Sequence, residues 1–98
     1  MKILLVCAGG FSTSILMNKV RKWAKENNED ITIDAKGKEA YESIYREYDC
    51  ILIGPQISYC LDDIKSSVSI PVAGIPSMDY ALGNAENVVN LAKKITGK

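Results

Sequence analysis

These 98 residues contain no histidine. That absence removes Cys-His and Ser-His-Asp nucleophile activation, imidazole metal ligation, and any phosphohistidine carried by the chain itself. Cysteine is scarce, with three residues at positions 7, 50 and 60 and no CxxC pair. A structural zinc site needs four closely spaced N or S ligands, so no metal and no bound cofactor are expected. The odd, scattered count reads as free thiols in a reducing, cytoplasmic setting. Long apolar runs are missing too. Met1-Lys2 leads into only four apolar residues, Ile3 to Val6, too few for a secretory core or a membrane span. Charge of one sign is also lacking: 12 basic residues cancel 12 acidic ones. No net field draws the chain to nucleic acid or lipid, and neither is expected as a partner.

What remains is a small alternating pattern without linker, repeat or low-complexity segment. A chain this long buries roughly 60–70% of its unfolded surface, enough for one core, so residues 1–98 read as one domain. Ile3-Leu4-Leu5-Val6 and Cys50-Ile51-Leu52-Ile53 are continuous apolar runs, as strands buried on both faces would be. Ile31 to Ala35 alternates and is β-branched, which predicts a strand at an edge. Pro71 to Ile75 is a short fourth strand weakened by Pro and Gly. Between the strands run helical stripes. Leu16, Val20, Trp23 and Ala24 form one, with Ser12, Thr13 and Ser14 as N-cap hydroxyls before it and Asn27-Asn28 after it. Tyr41, Ile44, Tyr45 and Tyr48 form a second, packing on the sheet. Ile57, Cys60, Leu61, Ile64 and Val68 form a third, which makes Cys60 a core residue, as strand residue Cys50 is. Val88, Leu91, Ala92 and Ile95 form the last, between a capping Asn84 and Gly97. The order βαβαβαβα predicts an α/β fold: a three-layer α/β/α domain with a four-stranded parallel sheet and helices on both faces. Lys19, Arg21, Lys22 and Lys25 give one helix a basic face, solvated or able to steer an acidic partner.

In such sheets ligands bind beyond the carboxyl ends of the strands. Cys7 ends the first strand, Gly54-Pro55-Gln56 follows the third, and Pro76-Ser77-Met78-Asp79-Tyr80 follows the fourth, so these loops share a rim. After Cys7 come Ala8, Gly9, Gly10, Phe11, Ser12, Thr13 and Ser14. Two glycines free the backbone to turn its amides inward, and the helix N-terminus attracts anions and favours a thiolate. The loop suits a phosphoryl group held on sulfur; the alternative is a buried strand-end cysteine before an ordinary turn. Gln56, Tyr59, Asp79 and Tyr80 are candidates for rim or partner contacts, and Phe11 is an apolar anchor or a cover for the helix start.

The low-molecular-weight tyrosine phosphatases share this strand–loop–helix layout and carry Cys-x5-Arg-Ser. Here Cys7 is followed by five residues and then Thr13-Ser14. The arginine that would clamp a transferring phosphoryl group is absent, and no Asp-Pro acid stands on the rim. Such a loop reads as a phosphate carrier. A phosphatase or arsenate-reductase-like enzyme is the alternative, and a reductase would require Cys60 to pair with Cys7.

The stretches Leu5-Val6-Cys7-Ala8-Gly9-Gly10-Phe11-Ser12-Thr13-Ser14 and Ile51-Leu52-Ile53-Gly54-Pro55-Gln56-Ile57-Ser58-Tyr59 resemble the IIB component of the phosphoenolpyruvate-dependent sugar phosphotransferase system, lactose/cellobiose (chitobiose) type. The resemblance spans essentially the whole chain. It implies that Cys7 is a phosphocysteine and that Ala8 to Ser14 cradle its phosphoryl group. It implies a IIA phosphohistidine as donor, and as acceptor a sugar held by the membrane IIC component, a β-linked disaccharide such as cellobiose, chitobiose or lactose. The chain would then be cytoplasmic and peripheral to the membrane through IIC.

Overall fold

The computed structural model describes residues 1–7, 11–37 and 40–97, with the side chains of 11–13 outside the description. Its apolar runs become four strands: β1 (Lys2–Cys7), β2 (Thr32–Gly37), β3 (Cys50–Ile53) and β4 (Val72–Gly74). All pair in parallel, in the spatial order β2-β1-β3-β4. β2 is an edge strand, as its alternation requires. The helices are α1 (Phe11–Glu26), α2 (Tyr41–Ile44), α3 (Leu61–Ser67), α4 (Ser77–Leu82) and α5 (Ala85–Thr96). Short 3-10 segments, Tyr45–Glu47 and Pro55–Cys60, continue α2 and precede α3.

Alternate residues of the two central strands feed opposite layers. Ile3, Leu5, Cys50 and Leu52 pack with Leu16 and Val20 of α1 and Val88, Val89 and Ala92 of α5. Leu4, Val6, Ile51 and Ile53 pack with Tyr41, Tyr45, Ile57, Cys60 and Ile64 on the other face. Both faces of β1 and β3 are therefore covered, which is why neither strand carries a polar residue in its interior. Cys50 and Cys60 are buried core residues, as expected, and the sheet is layered by helices on both sides.

The termini of these helices follow local chemistry. Asn28, just beyond α1, takes a left-handed conformation at φ 54° that Asn tolerates well. The Asn84 side chain accepts a hydrogen bond from the Asn87 N–H at 3.2 Å, capping α5 as the sequence suggests. Two expectations need correction. α1 begins at Phe11, so Ser12, Thr13 and Ser14 stand inside its first turn rather than ahead of it. The segment after β4, read as a rim loop, coils into α4 instead. That helix closes at Gly83, whose φ of 62° suits glycine and whose missing Cβ leaves room for the Lys19 stem. Lys19 Nζ donates to the Leu82 carbonyl at 3.3 Å, tying α1 to the end of α4.

The basic face is partly committed. Arg21 donates to the Ile33 carbonyl at 2.8 Å and stands 4.0 Å from Asp34, while Lys22 and Lys25 are exposed. Lys93 pairs with Glu29 and lies over the Trp23 ring. On the opposite layer Tyr48 is half-buried, and its hydroxyl donates to Asp34 at 2.9 Å. Burial, and then the bond to the Asp34 carboxylate, raise the Tyr48 pKa above the usual phenol value. A raised pKa means the folded state favours the neutral phenol. Its contribution is therefore complete below the unfolded value near 10 and fades as pH rises through the folded value. Tyr48→Phe is expected to cost about 1 kcal/mol at neutral pH and to remove that part of the alkaline loss of stability, measured by denaturant titration at pH 7 and above 10.

Candidate functional site

The strand order decides where a site can form. From β1 the chain turns to β2 on one side, then crosses back to β3 and on to β4 on the other. The winding reverses between β1 and β3, so the connections leaving their carboxyl ends diverge and open a crevice. Cys7 is the last residue of β1, and Gly54 follows the last residue of β3. The Gly54 N–H donates to the Val6 carbonyl at 3.0 Å, which keeps the two chains side by side up to the rim. Ile75 N–H bonds the Ile53 carbonyl at 2.9 Å and brings the β4 connection to the same level.

Cys7 is only 4% exposed, held between Gly37 of β2 and the end of β3. A Cβ placed on Gly54 would stand 3.6 Å from the Cys7 Cβ, 3.8 Å from the Tyr80 ring and 3.0 Å from Gln56 Oε1. Cys7, Gly54, Gln56 and Tyr80 therefore converge on one point. Three residues separate Cys7 from the start of α1, a helix of 16 residues. Among the described residues, no group of His, Cys, Asp or Glu side chains could hold a metal ion.

Among the described residues, the rest of the expected set does not gather on the surface of the rim. Ala8, Gly9 and Gly10 lie outside the described residues, as do the side chains of Phe11, Ser12 and Thr13. Ser14 is exposed on α1. Tyr80 belongs to the core beneath the rim, 9% exposed, rather than to its surface. Asp79 Oδ1 accepts from Asn87 Nδ2 at 2.9 Å, which fastens α4 to α5. Tyr59 stands outward and 74% exposed. The structure adds a cleft of about 310 Å³ beside Gln56 and Tyr80, walled by Ile15, Leu16 and Lys19 of α1 and by Ala81 and Gly83. Sequence reasoning passed over this cleft. Its signal was Ile15, a large apolar residue off the buried stripe of α1 that is well exposed here and lines the cleft.

The geometry is thus a cysteine at the winding reversal of a parallel sheet, ahead of a long helix. A family model described as the lactose/cellobiose-specific IIB subunit of the PTS system matches residues 2–91. The chain belongs to this IIB family. An oligo-beta-mannoside-specific EIIB component of Bacillus subtilis (strain 168) is 32% identical, the match covering 93% of this chain and 91% of the relative. A galactose-specific EIIB component of Lactococcus lactis subsp. cremoris (strain MG1363) is 30% identical, over 95% of this chain and 94% of the relative. Among solved structures, the cellobiose-specific IIB component from Borrelia burgdorferi superposes with a TM-score of 0.85 at 34% identity, covering 99% of this chain and 92% of that one. The lactose-specific IIB domain from Streptococcus pneumoniae superposes at 0.81 with 20% identity, over 92% and 95%, a likeness of fold. This IIB chain is accordingly a phosphotransferase subunit of a lactose/cellobiose-type sugar transport system.

Proposed function

We propose that the chain relays a phosphoryl group through Cys7, from a phosphohistidine of a IIA component to a sugar held by a IIC component. The observation that carries this reading is the position of Cys7, at the end of β1 where the winding reverses and three residues before α1. The absence of histidine from these residues is consistent with a donor imidazole supplied by a partner.

In the first step the Cys7 thiolate attacks phosphorus. The S–P bond forms as the P–N bond breaks, and the electron pair returns to the imidazole nitrogen. In the second, a sugar hydroxyl oxygen attacks phosphorus. The S–P bond breaks, its electron pair returns to sulfur, and the hydroxyl proton passes to a base on the acceptor side. The loop from Ala8 to Ser14 would supply backbone N–H groups to the phosphoryl oxygens. With Thr13 where a phosphatase has arginine, it would stabilise little charge on an attacking water. Hydrolysis would be slow and the S–P bond would wait for a sugar.

Relatives named lactose-specific EIICB component, from Lactococcus lactis and Staphylococcus aureus, support IIC as the acceptor partner. In them the matched segment is 11% of a chain named for both IIC and IIB. No helix among the described residues is long and apolar enough to cross a membrane, so the chain would reach the bilayer through IIC. The relatives are named for oligo-beta-mannoside, galactose, cellobiose and lactose, and a β-linked disaccharide such as cellobiose, chitobiose or lactose is the class we propose. The test is reconstitution with phosphoenolpyruvate, the general phosphotransfer proteins and IIA. The chain should acquire label only when IIA is present and lose it when IIC and the sugar are added. Labelling without IIA, or label that sugar and IIC leave untouched, would contradict the reading.

A further inference from the structure

The cysteine loop contains no cationic side chain, yet a phosphoryl group on Cys7 would bring charge that needs donors. We infer that the side-chain amide of Gln56 is one of those donors: a catalytic ligand that binds a non-bridging phosphoryl oxygen on Cys7. The inference rests on the relay proposed above and extends it to a residue outside the loop.

Gln56 is exposed, so its side chain could extend into solvent. It instead folds back over Gly54, with Oε1 3.0 Å from the point where a Cβ on that residue would stand; a half-turn of the carboxamide exchanges this acceptor for the Nε2 N–H donors. The Cys7 Cβ lies 3.6 Å from the same point. The amide and the thiol-bearing carbon thus flank one small gap, which exists because residue 54 has no side chain. Among the described residues no hydrogen bond occupies the Gln56 amide. Gln56 also lines the cleft walled by Ile15, Leu16, Lys19 and Tyr80. Lys19, the cation on that cleft, is turned to the Leu82 carbonyl at its far end. Among the described side chains, the polar group beside the gap is a neutral carboxamide.

A neutral donor fits a relay. The Gln56 N–H groups can orient the phosphoryl group and share its charge during both transfers, and no proton moves to or from the amide. Removing the amide withdraws one hydrogen bond to a charged group. For Gln56→Ala the expected result is a loss of about ten- to a hundred-fold in the rates of phosphorylation and discharge. The phosphorus NMR resonance of the phosphorylated chain should also move. Gln56→Glu keeps the shape but repels the phosphoryl charge, and should lose at least as much. Gly54→Ala fills the gap, displaces the amide and should reproduce part of the loss. Melting temperatures should barely change for the Gln56 variants, because an exposed side chain is altered.

The experiment is labelling of wild type and variants with phosphoenolpyruvate, the general proteins and IIA, followed by phosphorus NMR. Failure of the wild type to take label would overturn the relay itself. A labelled wild type with Gln56→Ala unchanged in rate and resonance would overturn only the role of Gln56. A slowed variant with an unmoved resonance would also overturn it, since the amide would then be touching a partner rather than the phosphoryl group.

Discussion

Cys7→Ser is expected to lower sugar phosphorylation by the reconstituted system more than about a thousandfold, and to leave the chain without transferable label. Sulfur does two things here that a serine oxygen cannot. A thiol is far more acidic than a serine hydroxyl, whose alkoxide is inaccessible without a general base. No histidine among these residues could act as that base. Sulfur also departs readily from phosphorus, so the group that accepts the phosphoryl also releases it. The substitution is small, at a strand end paired with Gly37, and the fold should survive it with a modest shift in melting temperature. Steady-state phosphorylation of the sugar, with circular dichroism as the check on folding, measures both effects. Activity within tenfold of wild type would remove Cys7 from the pathway.

The second large effect belongs to the core. Leu52→Ala is expected to destabilise the chain by about 3 kcal/mol, the usual range for a fully buried leucine being roughly 2–5 kcal/mol. Leu52 is 0% exposed, pairs in register with Leu5 and Ala73, and belongs to the cluster shared by α1 and α5. Its neighbours are strands hydrogen-bonded on both sides, which cannot collapse into the space it leaves. In a domain of this size about 3 kcal/mol corresponds to roughly 12–24 °C of melting temperature. Thermal denaturation followed by circular dichroism reads it directly. Because Gly54 and Gln56 follow β3, activity at low temperature should survive better than stability. A loss under 1 kcal/mol would mean that the β3 layer is less tightly packed than its burial implies.

The sheet was legible in the sequence because its causes are local. Continuous runs at Ile3 to Val6 and Cys50 to Ile53 require burial on two faces, and the alternation from Ile31 marks an edge. Asn84 and Gly97 announced the limits of α5 through capping chemistry. α4 was not legible. Pro76, Ser77 and Asp79 read as loop residues, and the helix is held by Tyr80 in the core, by Asp79 to Asn87 and by Lys19 to Leu82. Those contacts join separate elements of the fold, so no local propensity could show them. Strand order was equally out of reach. Alternation gives a parallel sheet, while the placement of β1 between β2 and β3 depends on how the helices distribute over the two faces. That order makes the end of β1 a crevice. The cysteine and its rim shared with Gly54 and Gln56 were visible in the sequence, while the close approach of Cys7 and Gln56 around Gly54 follows from the register of β1 with β3.

The most direct test is the phosphorus NMR spectrum of the chain after phosphorylation by phosphoenolpyruvate, the general proteins and IIA. The relay through Cys7 predicts a single protein-bound resonance at the downfield position of a thiol phosphate. It should vanish on addition of IIC and sugar and be absent from Cys7→Ser. A resonance of oxygen-bound phosphate, or one that persists in Cys7→Ser, would contradict it.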